Sequence, residues 1–247
     1  PERNIKNKID VSRKQDQLTC SAPELVHIHV WWNLVSVLSC LVAMVRKTPA
    51  VLTPRGTLSS YTFENRNSLV KVLIHMALGK PLLKHCHFHV TSEKEKEDIL
   101  KIVTPKSITV IPNFIYLPDL PATQPVTSLI RNNSTPANPF KILFLSRIEE
   151  KKGLDLLFEA LSELSIPYTL TIAGAGDEKY LLYLHALSKK LMISDHLNWI
   201  GQQDQEEKWE VLRSHDLLVL PSFDENFANV VIESLAMGTA ALLTSKV

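Results

Sequence analysis

The stretch Pro221–Gly238, PSFDENFANVVIESLAMG, follows a short apolar run, Leu217-Leu218-Val219-Leu220, of the length of a buried strand. Pro221 ends that strand, because it has no N–H to give a ladder. Ser222 to Asn226 form a polar loop whose side chains suit a helix N-cap. From about Asn229 the positions Val230, Val231, Leu235 and Ala236 keep a helical pattern, and Gly238 supplies the stop. Strand, polar loop and helix N-terminus together make the geometry that binds anions and nucleotides at open α/β sheets. Two carboxylates sit in it, Glu225 in the loop and Glu233 about a turn inside the helix. Taken alone, the stretch is also what an ordinary strand-to-helix turn looks like.

The same rhythm runs upstream. Lys141–Leu145, Tyr168–Ala173 and Asn198–Ile200 read as strands, and helical patterns cover Leu154–Leu164, the segment through Tyr180, Leu184, Leu187 and Leu191, and Glu206–Arg213. Ala240–Thr244 starts one more strand. Before them, Leu25–Val30, Ala50–Thr53, His85–Val90 and Ile108–Ile111 read as strands. Helices are expected up to about Arg46, over Leu69–Leu83 and after Ser92, where Ser92 and Glu95 suit a capping box. Prolines crowd the chain between Leu117 and Pro139, and that composition marks a linker. The expectation is an α/β protein of two Rossmann-type domains with parallel sheets: 1–130, a linker at 131–139, and 140–247. Both domains read as truncated, since the first opens on coil and the second stops just after a strand.

Composition narrows the function classes. At 45% hydrophobic and 21% charged, the 247 residues can bury a sizeable core. A net charge of +1 gives no global electrostatic case for nucleic acid. Three cysteines without a C-x-x-C spacing argue for a reducing, cytoplasmic setting, in which Asn132 and Asn133 are not glycosylation acceptors. Val30–Val45 is the most membrane-like segment; it is short for a span and reads as a buried helix, with peripheral contact at the inner face of a membrane as the alternative.

Several patterns carry chemistry. His85, His87 and His89 share one strand face, as do His27 and His29, but no third ligand is aimed at either set, and no metal is expected. Gly174-Ala175-Gly176 follows a strand, yet Lys179 stands where the third glycine of a dinucleotide fingerprint belongs. Arg147 lies at the carboxyl end of a strand and Lys152 five residues on, a pair of cations that could flank a diphosphate.

Arg147, Lys152-Gly153, Gly174-x-Gly176, Gly201 and Pro221-Ser222 through Glu225 to Glu233 together resemble the donor domain of glycosyltransferase family 4, over about residues 138–247. Weaker similarity covers His27 and His29, Thr53–Gly56, Thr91-Ser92 with Glu95, and Ile111-Pro112-Asn113. The resemblance implies a GT-B architecture and a retaining transferase moving a sugar from a UDP- or GDP-sugar to a saccharide or lipid-linked acceptor. It implies no metal or other cofactor: Arg147 and Lys152 would neutralise the diphosphate, Glu225 would hold the donor sugar, and Glu233 would take the ribose hydroxyls. Gly174, Gly176 and the backbone of Asn226, Phe227, Ala228, Asn229 and Val230 would complete the donor seat, and Arg55 would stand where many members place an active-site His.

Three departures from the family's pattern stand out: Ala228 replaces a usual Gly, Ala240 a Pro and Phe114 a Gly. A methyl at 228 would crowd the sugar or resist a positive φ. Two alternatives follow: a nucleotide-sugar-binding remnant without turnover, and an NAD oxidoreductase resting on Gly174-x-Gly176.

Overall fold

The computed structural model describes residues 23–59, 78–118 and 134–245. Four parallel strands, β1 (Val26–His29), β2 (Ala50–Thr53), β3 (His87–Val90) and β4 (Ser107–Val110), lie in that order in a first sheet. Helix α1 (Leu34–Val45) joins β1 to β2, α2 (Lys80–Lys84) precedes β3, and α3 (Glu93–Ile102) joins β3 to β4. Strand alternation sorts the faces. Ile28, Leu52 and Phe88 stand in register and share a core with Cys40 and Ala43 of α1 and Ile99 of α3. His27, His29, Thr53 and His89 occupy the opposite face, where His27 Nε2 and His89 Nδ1 approach the Thr53 hydroxyl at 2.8 and 3.3 Å.

A second sheet holds β5 (Phe140–Leu145), β6 (Tyr168–Ala173), β7 (Leu197–Gly201), β8 (Leu217–Leu220) and β9 (Ala240–Leu243), all parallel, in the order β7-β6-β5-β8-β9. A 3₁₀ turn (Glu150–Lys152) leads into α4 (Leu154–Ser162), and α5 (Glu178–Lys190), α6 (Gln205–Arg213) and α7 (Asn229–Ala236) follow. Helices cover both faces, which explains why Ile142–Leu145 of β5 and the whole of β8 read as unbroken apolar runs. Ile142 and Phe144 pack with Leu154, Phe158 and Leu184, while Leu143 and Leu218 pack on the other side with Trp209, Leu212 and Met237.

The chain builds outward from β5 through β6 to β7, then returns to lay β8 on the other side of β5. That reversal is a topological switch point, and the loops after β5 and β8 lie side by side there, at the carboxyl ends of their strands.

Most expected elements are present with bounds shifted by a residue or two. The linker expected at 131–139 falls partly outside the described residues; from Ser134 the chain makes a tight turn, with Asn138 N–H donating to the Thr135 carbonyl at 2.9 Å, and enters β5 directly. Of the helix expected over Leu69–Leu83, the part before residue 78 also lies outside them, and α2 is the remainder.

Two capping expectations are corrected. Ser92 caps α3 through the Glu95 N–H at 3.1 Å, but the Glu95 carboxylate takes the N–H groups of Thr91 (2.9 Å) and Gly56 (2.7 Å) rather than closing a box on Ser92. The reciprocal box occurs instead at Asp204 and Glu207, opening α6. The polar loop before α7 supplies no cap either: the N-cap is Ala228 and no side chain bonds there. Ser222, Asp224 and Asn226 are engaged in other contacts, and those contacts define the site.

Candidate functional site

Two loops of the second sheet are tied together at the switch point. The Phe223 N–H donates to the Lys151 carbonyl at 2.9 Å, and Lys151 Nζ pairs with Asp224 at 2.9 Å. Next along both loops, Lys152 Nζ donates to Glu225 Oε1, which also accepts from the Ser222 hydroxyl at 2.9 Å. Lys152 is only 8% exposed, and a buried ammonium needs such a partner. Gly153 makes the approach of the two loops possible: its φ is +66° and a side chain there would run into the Pro221 carbonyl.

A cavity of about 490 Å³ opens above this pair. Its walls are Ser146, Arg147 and Lys152 after β5, Gly174 and Ala175 after β6, Gln202 and Gln203 after β7, Lys208 of α6, and Glu225, Phe227–Val230 and Glu233. The N-terminus of α7 faces it with no side-chain cap; the Val231 N–H turns back to the Ala228 carbonyl at 2.9 Å, and the N–H groups of Asn229 and Val230 precede it at the open end of the helix. Three cations therefore line the cavity, each beside a carboxylate. Lys152 meets Glu225, Lys208 Nζ meets Glu233 Oε1 at 2.8 Å, and Arg147 Nη1 meets Glu149 Oε1 at 2.7 Å. Lys208 also lies 4.3 Å from the centre of the Trp209 ring, which narrows the positions open to its amine.

Of the residues singled out in the sequence, Arg147, Lys152, Gly174, Glu225, Phe227, Ala228, Asn229, Val230 and Glu233 meet in this one cavity. Gly176, Asn226 and Arg55 do not line it. Gly176 backs onto Ile148, pairing with it in an isolated bridge. Asn226 turns toward the first sheet, where its amide donates to the Thr91 hydroxyl at 2.7 Å. Arg55 is exposed in the turn after β2. Ala228 adopts φ −71°, so its methyl causes no backbone strain, contrary to the expectation from the usual Gly.

Lys208, Gln202, Gln203 and Ser146 were not legible as site residues. Lys208 sits in a well-capped amphipathic helix and looks like any solvent-facing lysine until α6 packs beside α7.

The first sheet closes one side of the site. Lys94 Nζ bonds Asp224 Oδ1 at 3.0 Å and the Glu225 carbonyl at 3.1 Å, and Ser59 Oγ donates to Asp224 Oδ2 at 3.0 Å. Asn113 donates to Asn229 at 3.1 Å. Burial pushes the Asp224 carboxyl up, but the hydrogen bonds and charges of Lys151 and Lys94 outweigh it and hold the group below its ordinary value. Among the described residues no three His, Cys, Asp or Glu side chains are grouped to hold a metal ion.

Residues 126–247 match the family described as glycosyl transferases group 1. This part of the chain belongs to that family. The lipopolysaccharide core biosynthesis glycosyltransferase LpsE of Rhizobium meliloti is 34% identical over 110 residues, covering 44% of this chain and 31% of the relative. Glycogen synthase of Mycobacterium tuberculosis is 28% identical over 233 residues, covering 91% of this chain and 52% of the relative. The chain thus spans about a third to a half of the length of these curated relatives.

Among solved structures, sucrose-phosphate synthase from Thermosynechococcus elongatus superimposes with a TM-score of 0.70 at 20% identity, covering 90% of this chain and 56% of that one. Anabaena HepE in complex with UDP-glucose gives 0.69 at 18% identity, covering 90% and 60%. The likeness fixes the fold as GT-B-like, two Rossmann-type domains with parallel sheets. In this group 1 domain the cavity lies at the switch point, with α7 presenting its N-terminus to it.

Proposed function

We propose that the chain carries the donor site of a retaining glycosyltransferase, which moves a sugar from a nucleotide-diphosphate-sugar to a saccharide or lipid-linked acceptor in glycoconjugate or polysaccharide synthesis. The observation that carries the reading is the contact of Lys152 with Glu225 beside an uncapped helix N-terminus, inside a cavity otherwise lined by Arg147, Lys208 and Glu233. When the anomeric C–O bond breaks, its electron pair leaves on the diphosphate. Lys152, Arg147 and the first N–H groups of α7 are the groups that would receive that charge. Lys152 would exchange its bond to Glu225 for one to a phosphate oxygen, freeing the Glu225 carboxylate for a sugar hydroxyl. Glu233, oriented by Lys208, would accept from the ribose hydroxyls. Fixed protein cations would do the work a divalent ion does in other transferases, so activity should persist in EDTA.

The names of the relatives support the product class, and the UDP-glucose bound to HepE supports a UDP-sugar. The setting is the cytoplasmic side, at the inner face of the membrane where the acceptor is lipid-linked. The oxidoreductase alternative loses ground at α5, because the Asp177 carboxylate caps it through the Lys179 N–H at 3.0 Å, where a pyrophosphate would need to sit.

The test is donor titration and turnover with UDP- and GDP-sugars, monitored as sugar transfer and as free nucleoside diphosphate. Lys152→Ala or Arg147→Ala should lower turnover by about 10²–10³-fold, as when one charge-stabilising donor is removed. Donor binding without transfer or hydrolysis would refute the transferase, and NADH binding in place of a nucleotide-sugar would refute the site.

A further inference from the structure

Three consecutive residues of the loop after β8 are gripped from the first sheet. Asp224 accepts from Ser59 and Lys94, the Glu225 carbonyl accepts from Lys94 at 3.1 Å, and the Asn226 amide donates to Thr91. The turn after β2 packs on the same loop: Gly56 has φ +77°, and a Cβ there would stand 3.1 Å from that of Asn226. Glu95 stiffens this platform, because its carboxylate takes the N–H groups of Thr91 and Gly56 together.

Lys94 runs against the local rule. It is the second residue of α3, after the Ser92 cap, where the partial positive charge of a helix N-terminus disfavours a cation. Glu93 and Glu95 on either side of it keep the rule. A residue that breaks a local preference while its neighbours follow it points to a role set by tertiary contacts. Those contacts are Asp224 Oδ1 at 3.0 Å and the Glu225 carbonyl, 130 and 131 positions away. With the Lys94 side chain 42% exposed, the ion pair by itself would do little. The bond to a backbone carbonyl does more, because it fixes where a peptide sits.

On the donor reading, Lys152 trades the Glu225 carboxylate for a phosphate oxygen. Lys94 holds the carbonyl of the same residue, so that exchange leaves its bond in place. Asp224, paired with both Lys94 and Lys151, secures the preceding residue. We infer that Lys94 is a positioning residue of the donor site: from the first sheet it fixes the Glu225 peptide and so places the carboxylate that would hold the donor sugar. The sugar contact rests on the donor reading, whereas the grip of Lys94 on the loop does not, and the two are measured separately.

Hydrogen exchange with mass spectrometry on the free chain reads the loop. Calorimetric titration with UDP and UDP-glucose, and with GDP and GDP-glucose, reads the site. In Lys94→Gln the amides of residues 222–228 should exchange several-fold faster. Affinity for the nucleotide-sugar should fall about 10-fold, whereas the bare diphosphate, with no sugar for Glu225 to hold, should stay within about 2-fold. Lys94→Arg can still donate to both acceptors and should recover most of both losses. Lys96→Gln removes the same charge from the same helix, where Lys96 pairs with Glu93, and should change neither. A lysine that only stabilised the fold would weaken both ligands alike. Unchanged exchange in Lys94→Gln, equal loss of the nucleotide-sugar and the diphosphate, or the same losses in Lys96→Gln would overturn the inference. If the parent binds none of the four ligands, the donor reading fails and takes the sugar contact with it; the grip of Lys94 on the loop is then upheld or overturned by the exchange rates alone.

Discussion

Gly153 and Gly201 have nearly the same backbone, φ +66° and +71°, but opposite surroundings, so replacing each with Ala separates two costs. At Gly201 an added Cβ meets nothing within 4 Å. The cost there is left-handed strain of about 1–2 kcal/mol, offset by about 0.4–1 kcal/mol because Ala restricts the unfolded chain. The net loss should be about 1 kcal/mol, or roughly 2–4 °C in Tm for a chain of this size.

At Gly153 the same strain applies, and the Cβ would also press into the Pro221 peptide, with its carbonyl carbon at 3.2 Å and the oxygen nearer still. Relieving that contact means separating the two loops that hold Lys152 against Glu225 and Lys151 against Asp224. Overpacking of this kind adds about 1–3 kcal/mol, for a total of about 2–4 kcal/mol. Thermal melts and urea titrations of the two variants beside the parent give the comparison. Donor affinity should fall in Gly153→Ala and stay near the parent in Gly201→Ala, which lies outside the cavity lining. Equal losses of stability in the two variants would refute the reasoning, because the close approach of Pro221 would then carry no energy.

Other consequences can be checked independently. Lys208→Ala frees the Glu233 carboxylate and should weaken nucleotide binding about 10-fold in calorimetry, while Lys208→Arg should largely restore it; this magnitude corresponds to one charge-assisted hydrogen bond. Asp224→Asn should cost about 2 kcal/mol at pH 7 in urea titrations, since it weakens bonds to two lysines. The carboxyl pKa is lowered in the folded state, so the unfolded chain takes up the proton first as pH falls. The contribution of Asp224 is therefore whole above about pH 4, the ordinary value, and is lost as pH drops through the lower folded value. The gap between parent and variant should narrow below pH 4, and a constant gap would contradict the ion-pair account. His215 behaves alike at higher pH. Burial lowers its pKa; Nδ1 lies 2.7 Å from the Val211 carbonyl and must donate there, leaving Nε2 to accept from the Thr171 hydroxyl at 2.8 Å. Its contribution should be present above about pH 6.5 and decline in more acidic buffer, a limb that His215→Gln should flatten in melts run from pH 5 to 8.

What the sequence determined by itself is what depends on neighbours along the chain. The apolar runs of β5 and β8 declare strands covered on both faces, since alternation disappears when both sides are buried. Pro221 and Gly238 mark where a strand and a helix must end, Arg147, Lys152 and Glu225 stand out because strand-end positions carry the loops of an open sheet, and Glu233 because it lies about a turn inside the helix that such a loop opens. The tertiary structure decided which polar group meets which. Asp224 and Asn226 suit a local helix cap, yet they reach Lys94 and Thr91, separated by 130 and 135 positions. Lys208 joins Glu233 across 25 positions, and Glu95 takes the Gly56 N–H across 39. Helix α1 shows the same division, since its apolar period reads as a buried helix and only packing shows that Cys40 and Ala43 are the face set against the first sheet. Periodicity encodes that a face is apolar, whereas the partner of a face or a charge depends on how distant elements stack, and no local pattern records that.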